Sequence, residues 1–239
     1  ATDTLDREGE VTATAPVPES PQAVEAALAG FRGDIMQIPP VISALKKDGQ
    51  PLYKLARAGQ DVPEPAARPV TIGRLEMTGA RWPADGDETA CEVDLTVDCS
   101  SGTYIRSLAR DLARSVGSEG IIQELRRLTV GNFSVDDALV GAMDMEGPDL
   151  AAAMLPLSEA LPGVPALDLD DEETAMVLQG HQPPRAWLDR LPTEPVAVGK
   201  TEPLFRILDP AGNLTAVGRL EARSGLPVLA VVIPREPQD

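Results

Sequence analysis

Histidine, cysteine and aromatic residues are scarce in this chain of 239 residues, which has one His, two Cys and 3 % aromatic side chains. So little His and no Cys-x-x-Cys pair argue against a His/Cys metal site and against a disulfide scaffold. No run of about 18 apolar residues occurs, so the sequence predicts no membrane-spanning helix. Together with two cysteines predicted as reduced thiols, these absences indicate a cytoplasmic protein without a bound metal.

Basic residues are also in the minority, because 21 Lys and Arg stand against 38 Asp and Glu and leave a net charge of −17. That charge by itself argues against nucleic acid as a partner. The acidity lies at the two ends, however: residues 1–30 carry −5 and residues 132–239 carry −11, whereas residues 31–131 carry only −1. A phosphate backbone needs only a local basic patch, so the middle of the chain keeps RNA open as a partner. A solvated helical face is the alternative explanation of its basic clusters.

The apolar pattern predicts an α+β fold. Apolar and polar residues alternate over 68–82 and 91–99, which indicates strands, and apolar residues recur at helical spacing between about 103 and 116. A Ser-Pro pair begins an earlier helix over 20–30, which a Gly ends. Both Cys fall on the apolar face of the strand at 91–99 and are predicted to be core thiols.

A second domain is predicted after a stretch rich in Ala, Met, Pro and Gly at 136–165. Shorter elements before and within that stretch are a helix over 121–126, a strand over 128–133 and a helix near 150–161. Beyond it, a helix over 170–178 precedes a β-rich tail. The strands of the tail are predicted at 196–198, 204–208, 214–220 and 228–233.

The segment Cys99-Ser-Ser-Gly-Thr-Tyr-Ile-Arg-Ser-Leu108 carries the most informative chemistry. It leads from a strand through Gly102 into a helix and brings Tyr104 and Arg106 to the helix N-terminus. Free backbone N–H groups and a guanidinium suit anion recognition there, and a tyrosine ring can stack on a base. The alternative is that Tyr104 packs in the core and Arg106 pairs with a nearby acid.

This segment, together with Leu125-Arg-Arg-Leu-Thr-Val-Gly-Asn-Phe133, resembles the bacterial tRNA pseudouridine synthase B (TruB) family. The matching segments keep the family's order from Ala1 to Phe133, and the acidic tail is loosely similar to the family's small PUA-like domain. The further matches are Thr2-Asp-Thr-x-Asp6, Phe31-Arg-Gly-Asp34, Gln37-Ile-Pro-Pro40, Ser43-Ala-Leu-Lys46 and Gly49-x-x-Leu-Tyr-x-x-Ala-Arg-x-Gly59.

The resemblance implies a truncated pseudouridine-synthase mixed sheet flanked by helices, followed by a small β-rich PUA-like domain. The corresponding domains are a partial catalytic domain at 1–145, a linker with a helix at 146–165 and the PUA-like domain at 166–239. We expect a monomer that binds the T-arm stem-loop of tRNA.

The resemblance also implies a reaction. The family isomerises a uridine in the T loop of tRNA to pseudouridine without cofactor or metal, after the base has been flipped out of the RNA. An Asp attacks the nucleotide, the glycosidic C–N bond breaks, the uracil turns and a C–C bond forms, while an Arg keeps the Asp ionised and oriented. Arg106 occupies the position of that Arg, Tyr104 that of a pocket tyrosine, and Leu125 that of an apolar residue against the uracil. The implied RNA contacts are Lys46, Lys47, Tyr53, Arg57, Arg126 and Arg127.

The departures from the family pattern concern the nucleophile above all. The family carries it in a Gly-x-Leu-Asp-Pro-x-Ala-Thr-Gly motif, and neither that motif nor a second active-site tyrosine occurs in these 239 residues. In addition, Ile42 replaces an aromatic residue and Ser101 replaces a common Lys. We therefore expect a chain that lacks the N-terminal segment, is inactive alone, leaves Arg106 without a carboxylate partner and leaves part of the sheet uncovered. The alternatives are a non-catalytic RNA-binding or tRNA-folding module and, third, a structural fragment.

Overall fold

The structure is a computed structural model that describes residues 1–43, 46–47, 50–52, 64–83, 90–197 and 202–234. The chain divides into two compact units, Ala1–Arg126 and Arg127–Asp239. The sequence-based division into a catalytic domain, a linker and a PUA-like domain concerns function and stays a prediction. In the part of the chain that the structure describes, no helix is both long and apolar enough to cross a membrane.

The first unit is built on a three-stranded sheet. β1 (Gly33–Gln37) is followed by β2 (Lys46–Lys47) and β3 (Gln50–Pro51), which pair with each other, and then by the long β4 (Arg68–Arg81) and β5 (Glu92–Cys99). β4 lies between β1 and β5 and is antiparallel to both. The strands β4 and β5 confirm the two strands predicted from alternation. The three described strands pair antiparallel, whereas the family resemblance implied a mixed sheet. The short connection between β4 and β5 permits only the antiparallel arrangement.

Two helices complete the core of the first unit. The Ser20 hydroxyl accepts a hydrogen bond from the Ala23 N–H at 3.2 Å and so begins α1 (Pro21–Leu28), while α2 (Ile105–Ser115) follows β5. Both helices confirm the sequence prediction. Burial of a large apolar side chain contributes about 1.5–3 kcal/mol, so the helices are held mainly by their apolar faces. The buried cluster consists of Val24, Leu28, Ile72, Leu75, Leu108 and Leu112.

The two cysteines are free thiols, but they are not both in the core. Cys91 is half-buried, whereas Cys99, the last residue of β5, is exposed, so the prediction of two core thiols is wrong. Alternation assigns a residue to one face of a strand, but it does not tell whether another element covers that end of the face. Burial raises the pKa of the Cys91 thiol, which favours its protonated, unreactive form.

The segment after α2 also differs from the prediction, because residues 121–126 do not form a helix. Instead, Ile122 makes a parallel β-bridge with Asp6. The Ile122 N–H donates to the Leu5 carbonyl at 3.0 Å, and the Ile122 carbonyl accepts from the Arg7 N–H at 3.1 Å. The N-terminal segment therefore takes the backbone groups that a helix would have used.

The second unit begins with a hairpin where the sequence predicts one strand. β6 (Thr129–Val130) and β7 (Phe133–Ser134) pair antiparallel. Gly131, with φ 58°, makes the tight turn between them. A run of β-forming residues thus folds back on itself because a glycine interrupts it.

The rest of the second unit is built on a four-stranded sheet. Its strands are β8 (Ala166–Asp168), β9 (Leu204–Leu208), β10 (Leu214–Leu220) and β11 (Pro227–Val232), in the order β11-β10-β9-β8. β8 is parallel to β9, and the other pairs are antiparallel. The sequence misses β8 but predicts the other three strands. The helices are α3 (Gly147–Ala153) and α4 (Asp171–Leu178), with 3₁₀ turns at Val135–Asp137, Ala142–Asp144, Leu157–Glu159 and Arg185–Arg190.

Candidate functional site

The turn from β5 into α2 places Arg106 in the first turn of the helix. Gly102 has φ +84°, a left-handed conformation that side chains other than glycine rarely adopt. The Thr103 hydroxyl closes the turn by donating to the Ser100 carbonyl at 2.9 Å. The helix then begins at Ile105, so that the Arg106 side chain leaves the first turn of α2.

Three groups from two distant segments bind the Arg106 guanidinium. Nη1 donates to the Thr4 carbonyl at 2.7 Å and lies 3.3 Å from Oδ2 of Asp6. Nη2 donates to the Ile42 carbonyl at 3.1 Å. The expectation that Arg106 lacks a carboxylate partner is therefore wrong, because the N-terminal segment of this same chain supplies one. The pair is only partly buried, with side-chain exposures of 26 % for Arg106 and 30 % for Asp6.

A tight turn holds the Asp6 carboxylate in place. Leu5 has φ 62° although it is not a glycine, and this left-handed residue lets the Thr4 carbonyl and the Asp6 carboxylate reach the same nitrogen of Arg106. Asp6 Oδ1 accepts from the Thr4 hydroxyl at 2.6 Å and from the Glu8 N–H at 3.2 Å. The Thr4 hydrogen bond, then the Glu8 N–H and the Arg106 charge, lower the pKa of Asp6, while partial burial opposes them.

The lowered pKa of Asp6 predicts a pH-dependent contribution to stability. A carboxyl whose pKa is lower in the folded than in the unfolded chain stabilises the fold above the unfolded pKa, which is about 3.9, and this stabilisation is lost as the pH falls through the folded pKa. We expect Asp6→Asn to lose less unfolding free energy than the unsubstituted protein when the pH is lowered below about 4. Urea unfolding at a series of pH values measures this difference, and parallel curves for the two proteins would show that Asp6 is not held as described.

A cavity of about 310 Å³ lies beside the Asp6–Arg106 pair. It joins polar and apolar chemistry, because Leu125, a large apolar side chain that is 63 % exposed, lines it together with the guanidinium. Its lining residues are Asp6, Arg7, Glu8, Arg106, Ile122, Gln123, Glu124 and Leu125. Arg106 and Leu125, predicted on separate motifs, thus meet at one cavity.

The other predicted site residues are not all brought to this cavity. Tyr104, two positions before Arg106, is half-buried and is not among the lining residues. Arg126 and Arg127 are exposed directly after Leu125. The structure describes only the backbone of Lys46 and Lys47, in β2, and Tyr53 and Arg57 lie outside the described residues.

The arginines Arg106, Arg110 and Arg114 follow one another along α2, but they do not form one uniformly solvated face. Arg110 is buried, with 8 % exposure; its Nη2 donates to the Ile38 carbonyl at 3.0 Å and its Nε to Asp111 at 2.7 Å. Arg114 pairs with Glu119 at 3.2 Å. Arg110 and Arg114 therefore bind protein groups, and of the three arginines only Arg106 lines the cavity. No group of three metal-binding side chains is present among the described residues.

Sequence reasoning missed Asp6 and the acidic and basic residues beside it as members of the site. The signal was available, because Asp6 ends the segment Thr2-Asp-Thr-x-Asp6, one of the segments that carry the resemblance. Its partner Arg106 is separated from it by 100 positions, and no pattern in the sequence pairs residues at that distance.

Comparison with known proteins gives a consistent result. A family model described as TruB family pseudouridylate synthase (N terminal domain) matches residues 1–105. The tRNA pseudouridine synthase B of Aromatoleum aromaticum is 45% identical over 182 residues, which cover 75% of this chain and 56% of that protein. The protein of the same name from Mycobacteroides abscessus is 45% identical over 183 residues, with 76% and 59% covered.

Solved structures agree at the level of the fold. The chain is similar to one in the crystal structure of a Cbf5-Nop10-Gar1 complex, with a TM-score of 0.61 at 19% identity over 93% of this chain and 66% of that one. A structure of an H/ACA RNP bound to a substrate RNA containing 2'-deoxyuridine gives a TM-score of 0.58 at 17% identity, covering 94% and 65%. The chain spans somewhat over half the length of the curated relatives named above. Residues 1–105 thus match the N-terminal domain of the TruB family of pseudouridylate synthases, and the chain is similar to curated tRNA pseudouridine synthase B proteins over about three quarters of its length.

Proposed function

We propose that this chain is part of a tRNA pseudouridine synthase that isomerises a uridine in the T loop. The observation that carries the proposal is the meeting of Arg106, held by three acceptors, with the exposed Leu125 at one cavity. A flipped uridine needs both features: an apolar surface for the ring and a fixed cation for the charged groups of the reaction. The protein acts in this proposal as a cytoplasmic monomer without metal or cofactor.

Arg106 has donors left for a further carboxylate. A guanidinium carries five N–H groups, and within the described residues the Arg106 Nε–H and one Nη2–H have no acceptor. A second carboxylate can therefore bind it in the bidentate manner that fixes both charge and orientation. We assign this place to the nucleophilic Asp that the family resemblance implies, with Leu125 packing against the uracil and Tyr104 close to it.

Asp6 fits an orienting role better than that of the nucleophile. Its Oδ1 already accepts two hydrogen bonds, and its Oδ2 contacts Arg106. A nucleophile needs an oxygen free to attack, and the same contacts that lower the pKa of Asp6 also lower its basicity. Since residues 1–239 contain no Gly-x-Leu-Asp motif, we propose that they form no pseudouridine alone.

Binding of a T-arm stem-loop RNA tests the nucleic-acid part of the proposal. Arg126 and Arg127 are exposed and have no hydrogen bond or ion pair among the described residues, so we assign them to phosphates. Each phosphate contact adds about 0.7–0.9 to the slope of log affinity against log salt. We expect the double variant Arg126→Gln/Arg127→Gln to lower that slope by between about 1 and 2.

The matched control is Arg223→Gln, which removes an exposed arginine that does not line the cavity. It should leave the salt slope of the unsubstituted chain unchanged, apart from a small effect of net charge. Equal slopes in the double variant and the control would remove Arg126 and Arg127 from the RNA contacts. No measurable binding of the T-arm RNA at low salt would contradict the proposed function as a whole.

A non-catalytic RNA-binding or tRNA-folding module is the second candidate, and the missing nucleophile motif favours it. This candidate predicts the same RNA binding, but no pseudouridine under any condition that completes the site. Residues 132–239, which include the proposed PUA-like domain at 166–239, carry a net charge of −11 and are not expected to hold phosphates strongly.

A further inference from the structure

We propose that Gln37 is a positioning residue for the candidate site: its side chain fixes the residue at which α2 begins, and thereby sets where Tyr104 and Arg106 stand. The effect of Gln37 on RNA binding rests on the proposed function, whereas its effect on the position of α2 does not. It concerns a residue that lies outside the cavity and takes no part in the pairing of Asp6 with Arg106.

Both polar atoms of the Gln37 side chain bind the backbone of one residue. Oε1 accepts from the Tyr104 N–H at 2.8 Å, and Nε2 donates to the Tyr104 carbonyl at 3.1 Å. Gln37 is only 2 % exposed, so these two bonds replace water for the amide group. Leaving a buried amide group without partners is unfavourable, which favours this arrangement.

The position of Tyr104 makes this contact consequential. Tyr104 is the N-cap of α2 and has no capping hydrogen bond from its own side chain; its carbonyl also accepts the first helical hydrogen bond, from the Leu108 N–H at 3.0 Å. Gln37 therefore accepts the N–H of the N-cap residue, as the Glu or Gln side chain of a capping box does, but from outside the helix. A shift of this residue moves the whole first turn, including Arg106.

The segment that follows Gln37 makes further hydrogen bonds to α2. The Ile38 carbonyl accepts from the Ser107 hydroxyl at 2.8 Å and from Arg110 at 3.0 Å. Pro39 and Pro40 are buried and restrict the backbone, and the segment ends at the Ile42 carbonyl, which binds Arg106 at 3.1 Å. Within the described part of this segment, Gln37 is the residue whose side chain hydrogen-bonds the backbone at the start of the helix, so it is the residue to substitute.

The test compares Gln37→Met with Gln182→Met in the full chain. Methionine keeps the length and removes both hydrogen bonds. Gln182 is an exposed control whose Oε1 also accepts a backbone N–H, that of Leu229 at 2.7 Å, in the second unit. Two readouts need no RNA: the hydrogen-exchange rate of the Tyr104 amide and the NMR titration of the Asp6 carboxyl, which reports the guanidinium beside it. The third readout is the affinity for the T-arm stem-loop.

We expect Gln37→Met to speed exchange of the Tyr104 amide about tenfold. It should also raise the pKa of the Asp6 carboxyl, as Arg106→Met does, and weaken RNA binding. Gln182→Met should change none of the three. An unchanged Asp6 titration in a folded Gln37→Met protein would overturn the inference. Should that variant fail to fold, Gln37→Leu, which also removes both hydrogen bonds, is read in the same way. Absence of RNA binding by the unsubstituted chain would contradict the proposed function, and the two RNA-free readouts would still decide the role of Gln37.

Discussion

Arg106→Met is expected to reduce pseudouridine formation about 10²–10³-fold in a fusion that joins this chain to the motif-bearing segment of a tRNA pseudouridine synthase B relative. The guanidinium is held by the Thr4 and Ile42 carbonyls and by Asp6, so it is oriented before any substrate binds. A charge fixed in this way stabilises a reacting carboxylate without reorganisation. Methionine fills a similar volume but leaves no cation, so the rate of the chemical step falls while RNA affinity changes less.

Arg106→Lys is the informative companion variant. Lysine keeps the charge but cannot contact the Thr4 and Ile42 carbonyls and two carboxylates from one planar group. We expect a rate between those of the unsubstituted fusion and Arg106→Met, with the loss in the turnover number rather than in RNA affinity. A fusion in which Arg106→Met turns over at the unsubstituted rate would show that this arginine is not part of the reaction.

The local elements of the fold could be predicted from the sequence because short-range physics determines them. The alternation along β5, the Ser20 cap of α1 and the apolar stripe of α2 each report a structure within a few residues. Prediction was weaker where a distant segment decides the conformation. Residues 121–126 have helical spacing, but Ile122 gives its backbone groups to Leu5 and Arg7, which no local pattern reveals.

The candidate site divides along the same line. Arg106 and Leu125 could be named because they lie in motifs that resemble a known family, and the structure brings both to one cavity. Asp6 was missed as the partner of Arg106, and the solvated helical face that was the alternative for the basic clusters does not hold for Arg110, which is buried against the Ile38 carbonyl. Both errors concern contacts between segments far apart in the chain, which charge and spacing do not encode.

The largest expected effect concerns catalysis by the chain itself. Residues 1–239 hold no Gly-x-Leu-Asp-Pro-x-Ala-Thr-Gly motif, and the carboxylate nearest to Arg106, that of Asp6, has its oxygens engaged by Thr4, Glu8 and Arg106. Removing a nucleophile costs about 10⁶-fold in the turnover number of well-studied enzymes. We therefore expect these 239 residues alone to give no detectable product, and the fusion that supplies the motif to give product.

Pseudouridine formation in a T-arm stem-loop RNA, measured side by side for the 239-residue chain and for the fusion, shows whether the chain itself carries a nucleophile. We expect no product from the chain, product from the fusion, and none from a fusion whose motif Asp is replaced by Asn. Product from the chain alone would contradict the account, because a residue within it, with Asp6 the first candidate, would then be the nucleophile. A fusion that folds and binds the RNA but forms no pseudouridine would contradict it as well, and would assign the chain to RNA binding without catalysis.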